Sequence, residues 1–298
     1  MHDVTVVLEP DAVAAPRVSE WKRFAKILFQ RKFVIFGVFI LACLVLVAIF
    51  APLIAPFDPY QNVMSETLKS PSAQHWLGTD SLGRDVFSRL VFGARTALIV
   101  GFGTVIAASI IGVILGILAG FLGRLVNGVI MRIMDALMAF PMLVLALLLA
   151  AVLGGGIQNV IIALSVATLP GYTRLMCGET LRVKENEYIM AQRAIGSRSL
   201  RTMGRHVMPN AIQPIIVLVT TMLGNVVLAE AGLSFLGIGI KPPGAAWGSM
   251  AADGFLHLRT YPLISFAPSI AIMLVVFAFN MVGDGLRDAL DPRLRGKL

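Results

Sequence analysis

Residues 174–209 read RLMCGETLRVKENEYIMAQRAIGSRSLRTMGRHVMP, between long apolar runs on either side. This stretch holds seven Lys/Arg against three Asp/Glu and contains no apolar run of membrane length. A polar insert this long in a lipid-compatible chain must face water. Its positive charge selects the cytoplasmic side, because short cytoplasmic flanks of membrane helices are rich in Lys and Arg. The insert therefore sets the orientation of the runs around it.

Working outward, the 298 residues are 57% hydrophobic and only 14% charged, whereas an ordinary soluble domain is about 25% charged. The composition predicts an all-α polytopic membrane protein. The formal charge of +8 clusters beside apolar runs, and aromatic residues make up 8%, so membrane topology explains the charge and no nucleic-acid partner is expected. Cys43 and Cys177 make no disulfide framework. His2, His75, His206 and His257 are far apart in sequence, without metal-ligand spacing.

A membrane-crossing helix needs about 20 predominantly apolar residues. Six stretches qualify: 33–56, 96–122, 129–153, 157–175, 212–236 and 262–282. Pro141 is expected to kink the third, and Pro170, Gly171 and Arg174 crowd the end of the fourth. Six Lys/Arg precede the first run, among them Lys22, Arg23, Lys26, Arg31 and Lys32. That run is longer than the apolar region of a signal peptide, so it reads as a retained helix with residues 1–32 in the cytoplasm. Six crossings return residues 284–298 to the same side. The other loops agree: the tail 284–298 has four Lys/Arg and the external loop 239–261 has two. The external loop 57–95 balances four Lys/Arg with four acids. The five later spans, 96–283, form one core that encloses the cytoplasmic segment 176–211.

Within that segment, Glu187 to Gly196 reads as a helix ended by glycine. Ser197, Arg198 and Ser199 supply capping chemistry for a second helix over 200–207. That helix should stop before Pro209, since the residue preceding proline is pushed out of helical geometry. Arg193, Arg198, Arg201 and Arg205 are the expected contacts for an acidic surface or lipid headgroups.

The segment resembles the EAA loop of ABC-importer permeases, a Glu-Ala-Ala triplet followed by Gly and then Ile-x-Leu-Pro. Here the frame is Met190-Ala191-Gln192, Gly196 and His206-Val207-Met208-Pro209. Met190 replaces the triplet's acid, and Glu187 lies three residues earlier. Further stretches narrow the resemblance: His75-Trp-Leu-Gly-Thr-Asp80-Ser-Leu-Gly83-Arg84-Asp85-Val-Phe-Ser88-Arg89; Leu233-Ser-Phe-Leu-Gly-Ile-Gly239 with Pro242-Pro243 and Trp247-Gly248; and Gly283-Asp284 through Asp291-Pro292-Arg293. Together they are similar to the C-type permease subunit of dipeptide, oligopeptide and nickel importers. The resemblance implies the type I importer permease fold with both termini in the cytoplasm of a bacterium or archaeon. It also implies a homologous second permease, two ATPase subunits that use ATP and Mg, and an extracytoplasmic solute-binding protein. Peptides are the implied substrates, with nickel and glutathione as alternatives. The ATPase-coupling residues it implies are Glu187, Ala191, Arg193, Gly196, Arg201 and Pro209. No G-x-x-x-x-G-K-[ST] phosphate loop is present, so this chain is expected to be non-catalytic and to bind no cofactor.

Other residues carry weaker expectations. Ala108, Gly112, Gly116 and Gly120 recur every four residues, a spacing that lets helix backbones approach in lipid. Arg132 and Asp135 are one turn apart and are expected to pair. Glu230 is the only acid deep inside a predicted span; such groups often mark a pathway, and a structural hydrogen bond is the alternative. Asp80, Arg84, Asp85 and Arg89 are external candidates for binding-protein contact, with 85–95 as an amphipathic helix on the membrane face. Trp247 is expected at the external interface. One imidazole and two carboxylates at His75, Asp80 and Asp85 do not make a metal site, and none is assigned. A secondary transporter would need several intramembrane charges around a midplane site. A membrane enzyme would need converging catalytic groups, which these spans lack.

Overall fold

The computed structural model describes residues 31–290. Helix α1 (Lys32–Ile49) is apolar all round and exposes Phe33, Phe36 and Phe39, as a lipid-facing helix does. Helix α2 (Val86–Phe121) has 36 residues, a length of roughly 54 Å at 1.5 Å per residue. Helices α3 (Arg124–Met138) and α4 (Met142–Leu153) follow, then α5 (Ile157–Lys184) and the short α6 (Glu187–Ala194). Three consecutive turns over 199–211 lead into α7 (Gln213–Phe235). Helices α8 (Trp247–Phe255) and α9 (Leu263–Leu290) complete the described chain. Among the described residues the only β pairing is an isolated bridge, Thr79 with Asp85.

Among the described residues five helices are long and apolar enough to cross a membrane, and the bent pair α3–α4 makes up to six. The third expected span is not a kinked rod: α3 and α4 meet at 89°. Proline disfavours helical geometry at the residue before it and donates no backbone N–H, so Pro141 becomes the N-cap of α4. The fourth expected span also differs. Helix α5 continues past Leu175 to Lys184 because Met176, Cys177, Thr180 and Val183 are buried beyond that point. Packing overrides the polar sequence.

The α2–α5 pair is the most extensive helix contact in the fold. The two helices run parallel, and the small-residue stripe of α2 makes the approach possible. A Cβ at Gly112 would stand 2.5 Å from Tyr172 Cβ, one at Gly116 2.6 Å from Met176 Cβ, and one at Gly120 2.6 Å from Thr180 Cβ. At the end of α2, Lys184 Nζ donates to the carbonyls of Gly120 (3.4 Å) and Phe121 (3.1 Å), satisfying orphan carbonyls of the helix C-terminus. An Arg31–Asp288 ion pair of 2.9 Å joins the start of α1 to the end of α9. A depression lined by Glu179, Arg182, Gln213 and Arg287 brings together the ends of α5 and α9 and the start of α7. The start of α1, the end of α9 and the basic segment thus share one end of the bundle. The lysines and arginines before Arg31, and Asp291-Pro292-Arg293, lie outside the described residues.

Candidate functional site

The basic segment folds as a lever anchored from beneath. Ile189, Thr202, Met203, Val207 and Ala211 are buried against the bundle. Gly196, at φ +77°, ends α6, and Ser197 N–H donates to Gln192 C=O at 3.0 Å. That is the Schellman arrangement, which needs a left-handed residue after the helix. The second helical stretch does not stop before Pro209. Residues Met203–Val207 form a π-helical turn, Met208 N–H bonds to Met203 C=O, and the next turn runs through Pro209. The wider turn accommodates the missing proline N–H without ending the helix.

What the lever presents outward is amphiphilic. Ile195 is 77% exposed and Leu200 is 78% exposed. They flank a concavity of about 900 Å³ also lined by Gln192, Gly196, Arg198, Arg201 and Arg205. Glu187 and Ala191 are exposed on α6 and Pro209 on the last turn; Arg193 lies on α6. Two bare apolar tips within a rim of arginines are unsuited to remain in water.

The opposite end carries a sealed polar cap. Asp85 is the N-cap of α2, its Oδ2 accepting from Ser88 N and Ser88 Oγ at 2.7 Å each. Its Oδ1 lies 2.9 Å from His75 Nδ1. Asp80 Oδ1 accepts from Leu82 N and Arg84 N at 3.0 Å, and its Oδ2 accepts from Arg84 Nε at 2.7 Å. Arg89, only 2% exposed, donates to the carbonyls of Pro59 (2.9 Å), Gly244 (3.2 Å) and Pro243 (3.4 Å). Its Nε reaches 3.5 Å from Asp80 Oδ2, an ion-pair contact without a hydrogen bond. Ser81 Oγ donates to Asp253 Oδ1 at 2.6 Å, tying the cap to α8. At the rim, the hydrogen bond from Lys69 holds the Glu66 carboxyl below its ordinary pKa.

Asp80, Arg84, Asp85 and Arg89, expected as surface contacts, therefore spend their charges on one another and on the backbone. The expected surface helix 85–95 is the first part of α2, with Val86, Ser88, Arg89 and Val91 buried. Trp247 is likewise inside the cap, its Nε1 donating to Leu90 C=O at 2.9 Å. The sequence carried a usable sign of this: Asp85 stands immediately before the apolar run that opens at Val86, an N-cap signal.

Two intramembrane expectations also resolve differently. Asp135 pairs with Arg174 of α5, not with Arg132. Helix α3 packs on α5 and presents Asp135 to a cation from the neighbouring helix, while Arg132 is exposed. Glu230 is 2% exposed, and its Oε1 accepts from Ser234 Oγ at 2.7 Å. Ser234 Oγ in turn accepts from Ile240 N at 3.0 Å. The carboxyl thus ties α7 to the turn that follows it. Glu230→Gln keeps the acceptor, and complex yield should stay within about twofold of the parent. Glu230→Leu strands the Ser234 hydroxyl at a cost of about 1–3 kcal/mol, read as a lower melting temperature of the solubilised complex. Equal melting temperatures for the two variants would refute the role.

The described residues thus form a polytopic helical bundle with an amphiphilic basic segment at one end and a sealed polar cap at the other. The family of binding-protein-dependent transport system inner membrane components matches residues 112–296. The N-terminal transmembrane domain of oligopeptide transport permease C matches residues 19–71. The dipeptide transport system permease protein DppC of Alkalihalophilus pseudofirmus is 42% identical over 93% of this chain and 91% of its own length. The glutathione transport system permease protein GsiD of Salmonella paratyphi A is 42% identical over 99% and 96%. The GsiD of Escherichia coli O6:K15:H31 is 41% identical over 97% and 95%. A chain of the inward-facing MetNI methionine ABC transporter superposes with a TM-score of 0.56 at 18% identity, covering 68% of this chain and 96% of that one. The chain belongs to the family of binding-protein-dependent inner membrane components, the permease subunits of ABC importers, and within it to the C-type of the peptide, nickel and glutathione group. It is a non-catalytic, multi-pass membrane subunit. Among the described residues no three His, Cys, Asp or Glu side chains gather to hold a metal ion.

Proposed function

We propose that this chain forms half of the translocation pathway of an ATP-driven importer of small peptide-like substrates in a bacterial cytoplasmic membrane. A homologous permease supplies the other half, two ATPase subunits bind below with the basic lever docked into a groove on one of them, and an extracytoplasmic binding protein delivers substrate to the capped end. Both termini and the lever lie in the cytoplasm in this reading. The family match over residues 112–296 carries it. Relatives named for dipeptide and for glutathione transport both align over more than nine-tenths of the chain. Glutathione, a short peptide-like molecule, therefore stands beside dipeptides as a favoured substrate. Binding-protein-dependent uptake by the reconstituted complex, with dipeptides to pentapeptides, glutathione and Ni²⁺ as a panel, tests the assignment. ATP-independent uptake by this chain alone would replace it with a secondary transporter.

Coupling follows from the lever's construction. ATP-driven closure of the ATPases displaces Glu187–Ala194 and the turns to Pro209 as one body, because Ile189, Met203 and Val207 fasten them to α5 and α2. Exposed Ile195, Leu200 and Arg201 make the contact, beside Arg193 of α6. Gly196→Pro forces φ to about −65° where the chain needs +77°. Uptake should fall at least tenfold while ATP hydrolysis continues uncoupled or the ATPases dissociate. Gly196→Ala meets no atom within 4 Å and should lose only about 1–2 kcal/mol of local stability to left-handed strain. Intact uptake and assembly in the proline variant would refute the lever.

A further inference from the structure

Packing of α3 on α5 makes the Asp135–Arg174 ion pair, but lipid does not explain charges left half exposed at its depth. Gly112, Gly116 and Gly120 of α2 lie against Tyr172, Met176 and Thr180 of α5, so Arg174 is level with about residue 114 of α2. The apolar run of α2 continues to Leu122, eight residues further. Arg174 thus sits roughly 12 Å inside the level where that run ends, at 1.5 Å per residue. Yet the side chains of Arg174 and Asp135 are 47% and 50% exposed. At that depth α2 turns Ile110, Ile111 and Ile114 outward, a surface made for hydrocarbon.

The face of α5 that carries Arg174 has a different character. Gly171 and Gly178, about one turn to either side, are exposed, and a Cβ at either would meet nothing within 4 Å. Charges exposed to hydrocarbon are costly, and in membrane proteins they face protein or a water-filled cavity. Small residues likewise mark faces that other groups approach closely. The pair is also only partly engaged. Arg174 Nη2 meets Asp135 Oδ1, and among the described residues no other protein group bonds the second carboxylate oxygen or the rest of the guanidinium fork.

We propose that Gly171, Arg174 and Gly178 of α5, with Asp135 of α3, form a charged station on the water-filled pathway that takes a zwitterionic peptide-like substrate. This rests on the importer reading above. The internal pair opens, Asp135 receives the substrate ammonium, and the Arg174 fork receives its carboxylate. The two protein charges re-pair when the substrate leaves. One ion pair is exchanged for two on entry and recovered on exit, so the station binds without trapping.

The test uses the assembled complex with its binding protein in proteoliposomes. In a Cys43→Ser, Cys177→Ala background, single variants Gly171→Cys, Arg174→Cys, Gly178→Cys and Ile114→Cys are exposed to a charged, membrane-impermeant thiol reagent. Only a water-facing thiol ionises to the reactive thiolate, so the three α5 positions should react at least about tenfold faster than the depth-matched Cys at 114. Equal rates would overturn the water-facing assignment. Uptake of a labelled dipeptide and of glutathione is then measured for Arg174→Gln, Asp135→Asn and the double neutral variant. Each should lose about tenfold or more in uptake while complex yield and binding-protein-stimulated ATP hydrolysis persist. A purely structural pair behaves otherwise: removing both partners together is nearly neutral, so restored uptake in the double variant overturns the station. If the parent complex moves no peptide-like compound, the importer reading and the substrate half of this proposal fall together. The thiol rates still decide whether the face meets water.

Discussion

Arg89→Met is expected to remove this subunit from the assembled complex, the largest single-residue effect on the capped end. Arg89 holds three carbonyls that come from two separate segments, Pro59 before α2 and Pro243 and Gly244 before α8. Asp80 is its counter-ion at 3.5 Å. Methionine fills much of the volume but leaves those carbonyls without a donor and shifts the charge balance around Asp80. Breaking a buried ionic group by removing one partner typically costs about 3–5 kcal/mol, a large part of a marginal stability. Arg89→Lys keeps the charge but loses the planar fork, so it should fall between the parent and Arg89→Met. Arg95, six residues on, is exposed and lies 5.9 Å over the Phe92 ring. Its loss should cost only about 0.5–1 kcal/mol. Melting curves of the solubilised complex and the yield of co-purified partners give the order directly. A parent-like melting temperature for Arg89→Met would refute the view that the cap is a single buried network.

The cap also shows where the sequence was legible and where it was not. Apolar run length revealed α1, α2, α5, α7 and α9, because hydrocarbon imposes one length and one composition on every crossing helix. The glycine that ends α6 was legible too, since a left-handed residue after a helix is a local requirement. Helix ends that depend on partners were not. The extension of α5 to Lys184 rests on α2, and the fusion of residues 86–95 to α2 rests on a cap whose other half lies some 150 residues away in the chain, at Pro243 to Trp247. Asp135 illustrates the same limit. Its local neighbour Arg132 was visible in the sequence, whereas Arg174 is 39 residues distant and became its partner only through tertiary packing.

Gly116→Leu should separate α2 from α5 and disconnect the two ends of the molecule. At Gly116 even a methyl group would stand 2.6 Å from Met176 Cβ, 2.7 Å from Thr173 O and 2.9 Å from Cys177 N. Two of these atoms are backbone and the third is a Cβ fixed to it, so no rotamer change relieves the clash and the helices must move. Overpacking of a well-packed interior typically costs about 1–3 kcal/mol. Leucine, three carbons larger than alanine, should exceed the alanine penalty. Gly128 in α3 gives the opposite sign: a Cβ there meets nothing within 4 Å, so Gly128→Ala should gain up to about 1 kcal/mol of helix propensity. The functional effect follows from the route of the two helices. Helix α2 starts at Asp85 in the cap, and its far end is held by Lys184 at the root of the lever. A displaced α2–α5 pair should therefore lose binding-protein-stimulated ATP hydrolysis even where assembly survives. The melting temperatures of Gly116→Ala, Gly116→Leu and Gly128→Ala, with stimulated hydrolysis in each, supply the check. Wild-type stimulation in a Gly116→Leu complex that assembles normally would show that the signal between cap and lever takes another path.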